Sequence, residues 1–345
     1  MLRKFDSLLI VPIFLLLVFS FFILKSVSPD LFPSYYWYFG LGIFAFIIFS
    51  LFDFEVISAF SKYFYTISIV LLLITLVIGQ VTRGTVRWIP IGSFSLQPSE
   101  IVRPFLLVFF ANYLAEKKLD LRRIVKVLLL MALPLFLILV QPSLGVTALT
   151  TVGFLGLFFA SDLDKKYFLY LGLVALVLVP LVYVFLAPYQ KTRITTFLDP
   201  TSDPLGVGYN AIQSTISVGS GMFLGRGLGR GVGTQLSFLP ERHTDFIFAS
   251  VAEEMGFVGA IVLLLLTFLL LYRIVNYSEH AINIPARIFL SGLFLTFFAQ
   301  VVVHTGMNMS LFPITGIPFP LVSAGGSSLL ATLTALGIVV GTKKS

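Results

Sequence analysis

Ten apolar blocks divide the chain, near residues 8–25, 35–52, 63–79, 101–115, 125–141, 144–160, 167–187, 246–272, 287–308 and 326–342. A bilayer's hydrocarbon core takes roughly 20 residues of helix to cross. Inside it every backbone N–H and C=O needs a partner within the fold, which leaves helices or closed barrels. The blocks are continuous runs of Leu, Val, Ile and Phe without the alternation of barrel strands. The expected fold class is therefore an all-α polytopic membrane protein, a single transmembrane domain of about ten helices over residues 1–345. With 58% hydrophobic and 11% charged residues, a soluble globular fold is excluded. The first block follows Met1-Leu2-Arg3-Lys4 but is long and lacks a small-residue cleavage site, so it reads as a retained helix.

The net charge of +7 is first a matter of orientation. Ten spans put both termini on one side. If that side is the cytoplasm, 14 of the 23 basic residues lie inside and nine outside, while the 16 acids divide evenly. The surplus thus orients the chain in its membrane and calls for no nucleic acid partner. With no Cys, disulfides, thiolate nucleophiles and Cys-ligated metals are excluded. His243, His280 and His304 are too scattered to make a metal site by spacing. No Walker loop or dinucleotide fingerprint is present.

The outer segment 188–244, between the seventh and eighth spans, is far longer than an ordinary connection and holds Tyr209, Ile212, Ile216 and Phe238. It is expected to be structured, with an amphipathic helix at the interface over 205–222. Two further outer loops, 80–100 with Arg83, Arg87 and Trp88, and the Pro/Gly-rich 309–325, could enclose one cavity with it.

Ionisable residues against an apolar layer cost about 2.5–3.5 kcal/mol each, so each needs a partner or a task. Glu100 and Arg103 stand three apart at the start of the fourth span and can pair, with Arg103 also placed to face a diphosphate. Thr244 is a suitable N-cap, which would put Asp245 in the first turn of the eighth span. Glu253 would line the same cavity about 12 Å deeper, and Glu254 would point away toward another helix. Arg87, Arg193 and Arg242 are outer guanidiniums suited to phosphate oxygens. In the last loop, hydroxyls such as Ser323 and Ser327, with the free amides opening the tenth span, could bind an anion.

Arg87-Trp88-Ile89, Gln97-Pro98-Ser99-Glu100, Tyr189-Gln190 with Arg193, the stretch 219–233, Thr244-Asp245-Phe246-Ile247-Phe248 with Glu253-Glu254-Met255-Gly256, and 313–328 occur in order over most of the chain. Together they resemble the SEDS (shape, elongation, division, sporulation) proteins, and Leu236 to His243 resembles the elongation branch more than the division branch. The resemblance implies a peptidoglycan glycosyltransferase that polymerises lipid II. It implies work with a class B penicillin-binding protein and other membrane proteins of the elongation machinery. It also implies that Asp245 is catalytic and that Gln190 belongs with the substrate-binding residues.

On that basis the acceptor 4-hydroxyl attacks the donor's anomeric carbon with inversion, and polyprenyl diphosphate leaves. Asp245 is the expected general base. Arg87, Arg103, Arg193 and Arg242 are expected to stabilise the leaving group, with Mg²⁺ or Mn²⁺ as a conceivable aid. A lipid-linked precursor transporter would instead place its polar residues near the bilayer midplane, and a non-catalytic scaffold would have no need of Asp245. Three positions depart from the family pattern: Ser143 stands where Asp is usual, Arg103 where Lys is usual, and His304 where Asn is usual.

Overall fold

The computed structural model describes residues 6–82, 85–91, 94–203 and 206–343. Arg3, Lys4, Arg83 and Lys344, which enter the charge count above, lie outside them.

The chain runs α1 (Ser7–Val27), α2 (Phe32–Leu51), α3 (Phe54–Ala59), α4 (Ser61–Ile78), β1 (Gln80–Thr82), β2 (Thr85–Ile91), β3 (Phe94–Leu96) and α5 (Pro98–Ala115). It continues α6 (Leu121–Val140), α7 (Leu144–Ala160), α8 (Lys165–Phe185), α9 (Pro188–Leu198), α10 (Val207–Ser220), α11 (Val232–Gln235), α12 (Ile247–Glu279), α13 (Ile284–Asn308) and α14 (Gly326–Thr342). Each of the ten apolar blocks is a helix, and among the described residues six helices are long and apolar enough to cross a membrane by length and composition. Between α4 and α5 the strands β1, β2 and β3 pair antiparallel in the order β1-β2-β3.

Small residues let helices meet where hydrophobic driving force is absent. On α7 and α13, a carbon placed on Gly156 would lie 2.8 Å from the Gly292 Cα, so the two backbones touch. Ser291 Oγ donates to Gly156 O across the same seam at 2.8 Å. The largest core cluster joins α1, α5, α12, α13 and α14 through residues such as Leu16, Phe110, Leu263, Phe289 and Leu336. By contrast, Leu169, Leu173, Leu176 and Val184 of α8 are exposed.

Both ends of the described chain meet at one pole of the bundle. Asp6 caps α1 by accepting from Leu8 N at 3.1 Å. Its carboxylate also takes hydrogen bonds from Arg273 Nη2 and from the Tyr277 hydroxyl, the latter at 3.0 Å, and lies 3.7 Å from Lys343 Nζ. Burial pushes the Asp6 carboxyl up, but the bonds from Arg273 and Tyr277 and the charges of Arg273 and Lys343 outweigh it and hold the group below the ordinary carboxylate range.

The opposite pole carries the 188–244 segment, whose described residues form α9, α10 and α11 with ordered turns between them. Helix α10 forms where expected, but its buried side is the small-residue face of Gly208, Ser214 and Ser217, set against α12 and α13, while Ile216 points outward. A second, smaller core of Leu239, Phe246, Ala249 and Ile314 holds this segment onto the start of α12 and the 309–325 loop. Helix α12 is broken at Gly256, whose φ of 67° and ψ of −165° are not helical. The carbonyls of Glu253 and Glu254 accept from Arg226 N and Gly227 N, at 3.0 and 2.9 Å, while Phe257 N donates to Met222 O at 2.9 Å. Loop 222–227 therefore fills the break, and Gly225, with φ of +80°, supplies the close approach.

Candidate active site

At the loop-rich pole a cavity of about 450 Å³ opens among the starts of several helices. Its wall takes Arg87 and Trp88 from β2, Gln97 and Glu100 from the start of α5, Ser143 to Val146 from the start of α7, and Gln190 and Arg193 from α9. The turn before α12 adds Glu241, His243, Thr244 and Asp245. The loop before α14 adds Thr315, Gly316 and Pro318, and α14 itself adds Ser327 and Ser328.

Short hydrogen bonds between helix starts hold this wall. Gln97 N donates to Ser327 Oγ at 2.7 Å, and Gln97 Nε2 donates to Ser143 Oγ at 3.2 Å, so one residue joins α5, α14 and α7. Tyr189 hydroxyl donates to Pro142 O at 3.1 Å, fastening α9 to the start of α7. Gln190 is buried: its Oε1 accepts from Ala187 N at 2.9 Å and its Nε2 donates to the Tyr189 hydroxyl at 3.1 Å. The unpaired amides at a helix start favour an anion, and α5, α7 and α14 all begin here.

Asp245 and Arg193 face the same space. A carbon on Gly316 would sit 3.5 Å from Asp245 Oδ2 and 3.7 Å from Arg193 Nη1. Arg193 Nη1 also donates to Ile314 O at 3.1 Å, which ties α9 to the loop beneath. A carboxylate beside a guanidinium in a polar pocket can accept a proton while the cation stabilises developing negative charge nearby.

Six of the residues expected from sequence therefore share this wall: Arg87, Glu100, Gln190, Arg193, Asp245 and Ser327. Four do not. Arg103 is buried behind the wall, with Nη2 at 4.0 Å from Glu100 Oε2, so the expected pair forms but the guanidinium does not reach the cavity. Arg242 is turned the other way, its Nε donating to Val27 O at 3.0 Å and its Nη1 to Ser237 Oγ at 2.9 Å. Glu253 does not line the cavity from below: its carboxylate accepts from Gly233 N at 2.8 Å and Thr234 N at 3.0 Å, because the 229–235 loop folds under it. Ser323 is a strut, accepting from Phe319 N at 2.7 Å and donating to Thr244 O at 2.8 Å.

Glu254 bonds Ser26, Thr234 and Gln235, the structural role expected of it. Thr244 is not an N-cap. Helix α12 starts at Ile247, and the Thr244 hydroxyl donates to Glu241 Oε2 at 3.1 Å within the preceding turn. Asp245 thus lies before the helix rather than in its first turn.

Trp88 and Ser143 also stand on the wall, although the motifs in the sequence give neither a binding role; Gly316 stands between the two charged groups. Asn308, fully buried on α13, was not singled out either, although Gln300, His304 and Asn308 recur every four residues and mark one polar stripe on an apolar helix. Among the described residues, no group of three or more Asp, Glu and His is placed to hold a metal ion.

A family model for the FtsW/RodA/SpoVE cell cycle proteins matches residues 4–345. The chain is 37% identical over 289 residues to the peptidoglycan glycosyltransferase MrdB of Escherichia coli strain K12, covering 83% of this chain and 78% of that one. It is similar to a chain in a structure of a peptidoglycan synthase complex that coordinates polymerization and crosslinking, with TM-score 0.85, 33% identity, and coverage of 99% of this chain and 98% of the other. It is also similar to the rod shape determining protein RodA of Thermus thermophilus, with TM-score 0.75, 27% identity and the same coverage of both chains.

Proposed function

Because the chain belongs to the FtsW/RodA/SpoVE cell cycle protein family and is a peptidoglycan glycosyltransferase, we propose that the cavity beside Asp245 is where lipid II is polymerised during cell-wall elongation. Asp245 is the general base. Its carboxylate takes the proton of the acceptor sugar's 4-hydroxyl as that oxygen bonds to the donor's anomeric carbon. The bond from that carbon to the polyprenyl diphosphate breaks, and the electron pair leaves on the phosphate oxygen. Inversion in one step needs no protein nucleophile.

Arg193 and Arg87, with the amides at the starts of α5, α7 and α14, take up the charge of the leaving diphosphate. Arg103 and Arg242 serve this site indirectly, by holding Glu100 and the turn before Asp245. A divalent cation would supply Lewis-acid stabilisation of the leaving diphosphate, but among the described residues no group of three Asp, Glu or His is placed to hold one. The observation that carries the reading is the approach of Asp245 Oδ2 and Arg193 Nη1 to the same point above Gly316.

In this reading the cavity pole faces outward from the bacterial inner membrane and both termini are cytoplasmic, as the positive charge at the other pole supports. The transpeptidase partner is a class B penicillin-binding protein, which fits the likeness to a synthase complex that couples polymerization to crosslinking. The test is glycan formation from purified lipid II. Asp245→Asn should remain folded and lose about 10²–10⁴ in rate. Normal polymerisation by that variant would remove Asp245 from the chemistry.

A further inference from the structure

The hydrogen bond that would carry α12 back to Asp245 is absent, and a side chain stands in its place. In a continuing helix the Ala249 N–H would donate to the Asp245 carbonyl. Instead Ala249 N donates to Asn308 Oδ1 at 3.0 Å, and Asn308 Nδ2 donates to the Asp245 carbonyl at 3.0 Å. The side-chain amide is inserted between the two backbone groups like an extra peptide unit. The next bond, Ser250 N to Phe246 O at 3.0 Å, is normal, so the helix begins directly after the insertion.

Asn308 is held for this purpose from every side. It is fully buried. The second hydrogen of Nδ2 goes to His304 O at 2.8 Å, and the Asn308 carbonyl accepts from Ser214 Oγ of α10 at 2.8 Å. Only one orientation of the amide satisfies two carbonyls and one N–H together. One turn back, His304 Nδ1 bonds Ile317 O at 2.7 Å, and Gln300 Nε2 donates to Pro318 O at 2.7 Å. A single stripe of α13 thus grips the Asp245 backbone and the loop carrying Gly316.

We propose that Asn308 is a positioning residue for the transferase reaction: by splitting the 249-to-245 hydrogen bond it keeps Asp245 off the α12 helix and aimed into the cavity. Removing the amide would let Ala249 N and the Asp245 carbonyl close on each other. One more helical residue would then form, swinging Asp245 by up to about 100° around the axis. Because the freed groups satisfy one another, the fold does not depend on the amide. This inference rests on Asp245 being the catalytic base, so its test reads position separately from rate.

The chain has no Cys, so the thiol of an Asp245→Cys variant reports that position alone to a charged, water-soluble methanethiosulfonate reagent. Adding Asn308→Leu should slow labelling by about tenfold or more, as the thiol leaves the open cavity. In the chain with Asp245 intact, Asn308→Leu should lower kcat for lipid II polymerisation by about 10²-fold and leave KM within a few-fold. If Asn308→Leu is not monodisperse, Asn308→Thr, smaller and too short to span both groups, takes its place with the same expectations. Unchanged labelling overturns the proposal, whatever happens to the rate. Slowed labelling with unchanged kcat supports the positional claim and instead overturns Asp245 as the base.

Discussion

Asp245 Oδ2 and Arg193 Nη1 converge on Gly316 from two different segments, 3.5 and 3.7 Å from where a side-chain carbon on that glycine would lie. The φ of Gly316 is +71°, a conformation that other residues adopt only at a cost of roughly 1–2 kcal/mol. Gly316→Ala should therefore fold with a modest loss of stability but polymerise lipid II much more slowly, because the methyl group occupies the space where the reacting oxygens must sit. Gly229→Ala is the control: its φ is +73°, and only Ser26 Oγ comes within 4.0 Å. Equal loss of turnover in both variants would mean that backbone strain, not the space between Asp245 and Arg193, is responsible.

Arg193 does two things at once, bonding Ile314 O and presenting its remaining donors to the cavity. Lysine keeps the charge but not the planar fork. Arg193→Ala should reduce kcat by about 10²–10³-fold, the range for loss of one preorganised donor to developing charge. Arg193→Lys should recover only part of this. Full recovery by Lys in a steady-state assay would show that charge alone matters and that the bond to Ile314 does not.

At the opposite pole, Asp6 ties the start of α1 to the ends of α12 and α14. Its carboxyl titrates below the ordinary value in the folded protein, so the sign is fixed. The stabilisation is full above the unfolded value of about 3.9 and is lost as pH falls through the lower folded value. Melting of the detergent-solubilised protein should show wild type above Asp6→Asn near neutral pH, with the gap narrowing only below about pH 4. A gap that is constant with pH would show that the charge of Asp6 contributes nothing.

The contact between α7 and α13 leaves no room for a side chain at Gly156. Gly156→Leu should lower the melting temperature and the yield of monodisperse protein, by the 1–3 kcal/mol or more that overpacking costs. Gly172→Leu, on α8 with nothing within 4 Å, should be silent. Comparable losses in the two would mean that glycine content rather than this contact sets the stability.

The sequence by itself determined the membrane class, the ten helices and six of the residues on the cavity wall. Apolar runs of bilayer length have one economical solution, and an acid or guanidinium beside them must be accommodated somewhere. The pairing of Glu100 with Arg103 was also legible, since three residues on a helix separate neighbours. What only the tertiary structure decided is which way the polar groups turn. Glu253 and Arg242 lie near Asp245 in the chain and Ser323 lies in the loop that carries Gly316, yet their bonds go to Gly233 N, Val27 O and Thr244 O. Partners so far along the chain cannot be read from spacing. The same holds for the start of α12, where local capping rules favour Thr244, but a buried amide on another helix takes the place of the expected bond and leaves Asp245 outside it. In a medium where backbone groups must be satisfied, a side chain from elsewhere in the fold can set the end of a helix, and here it also sets the position of the carboxylate.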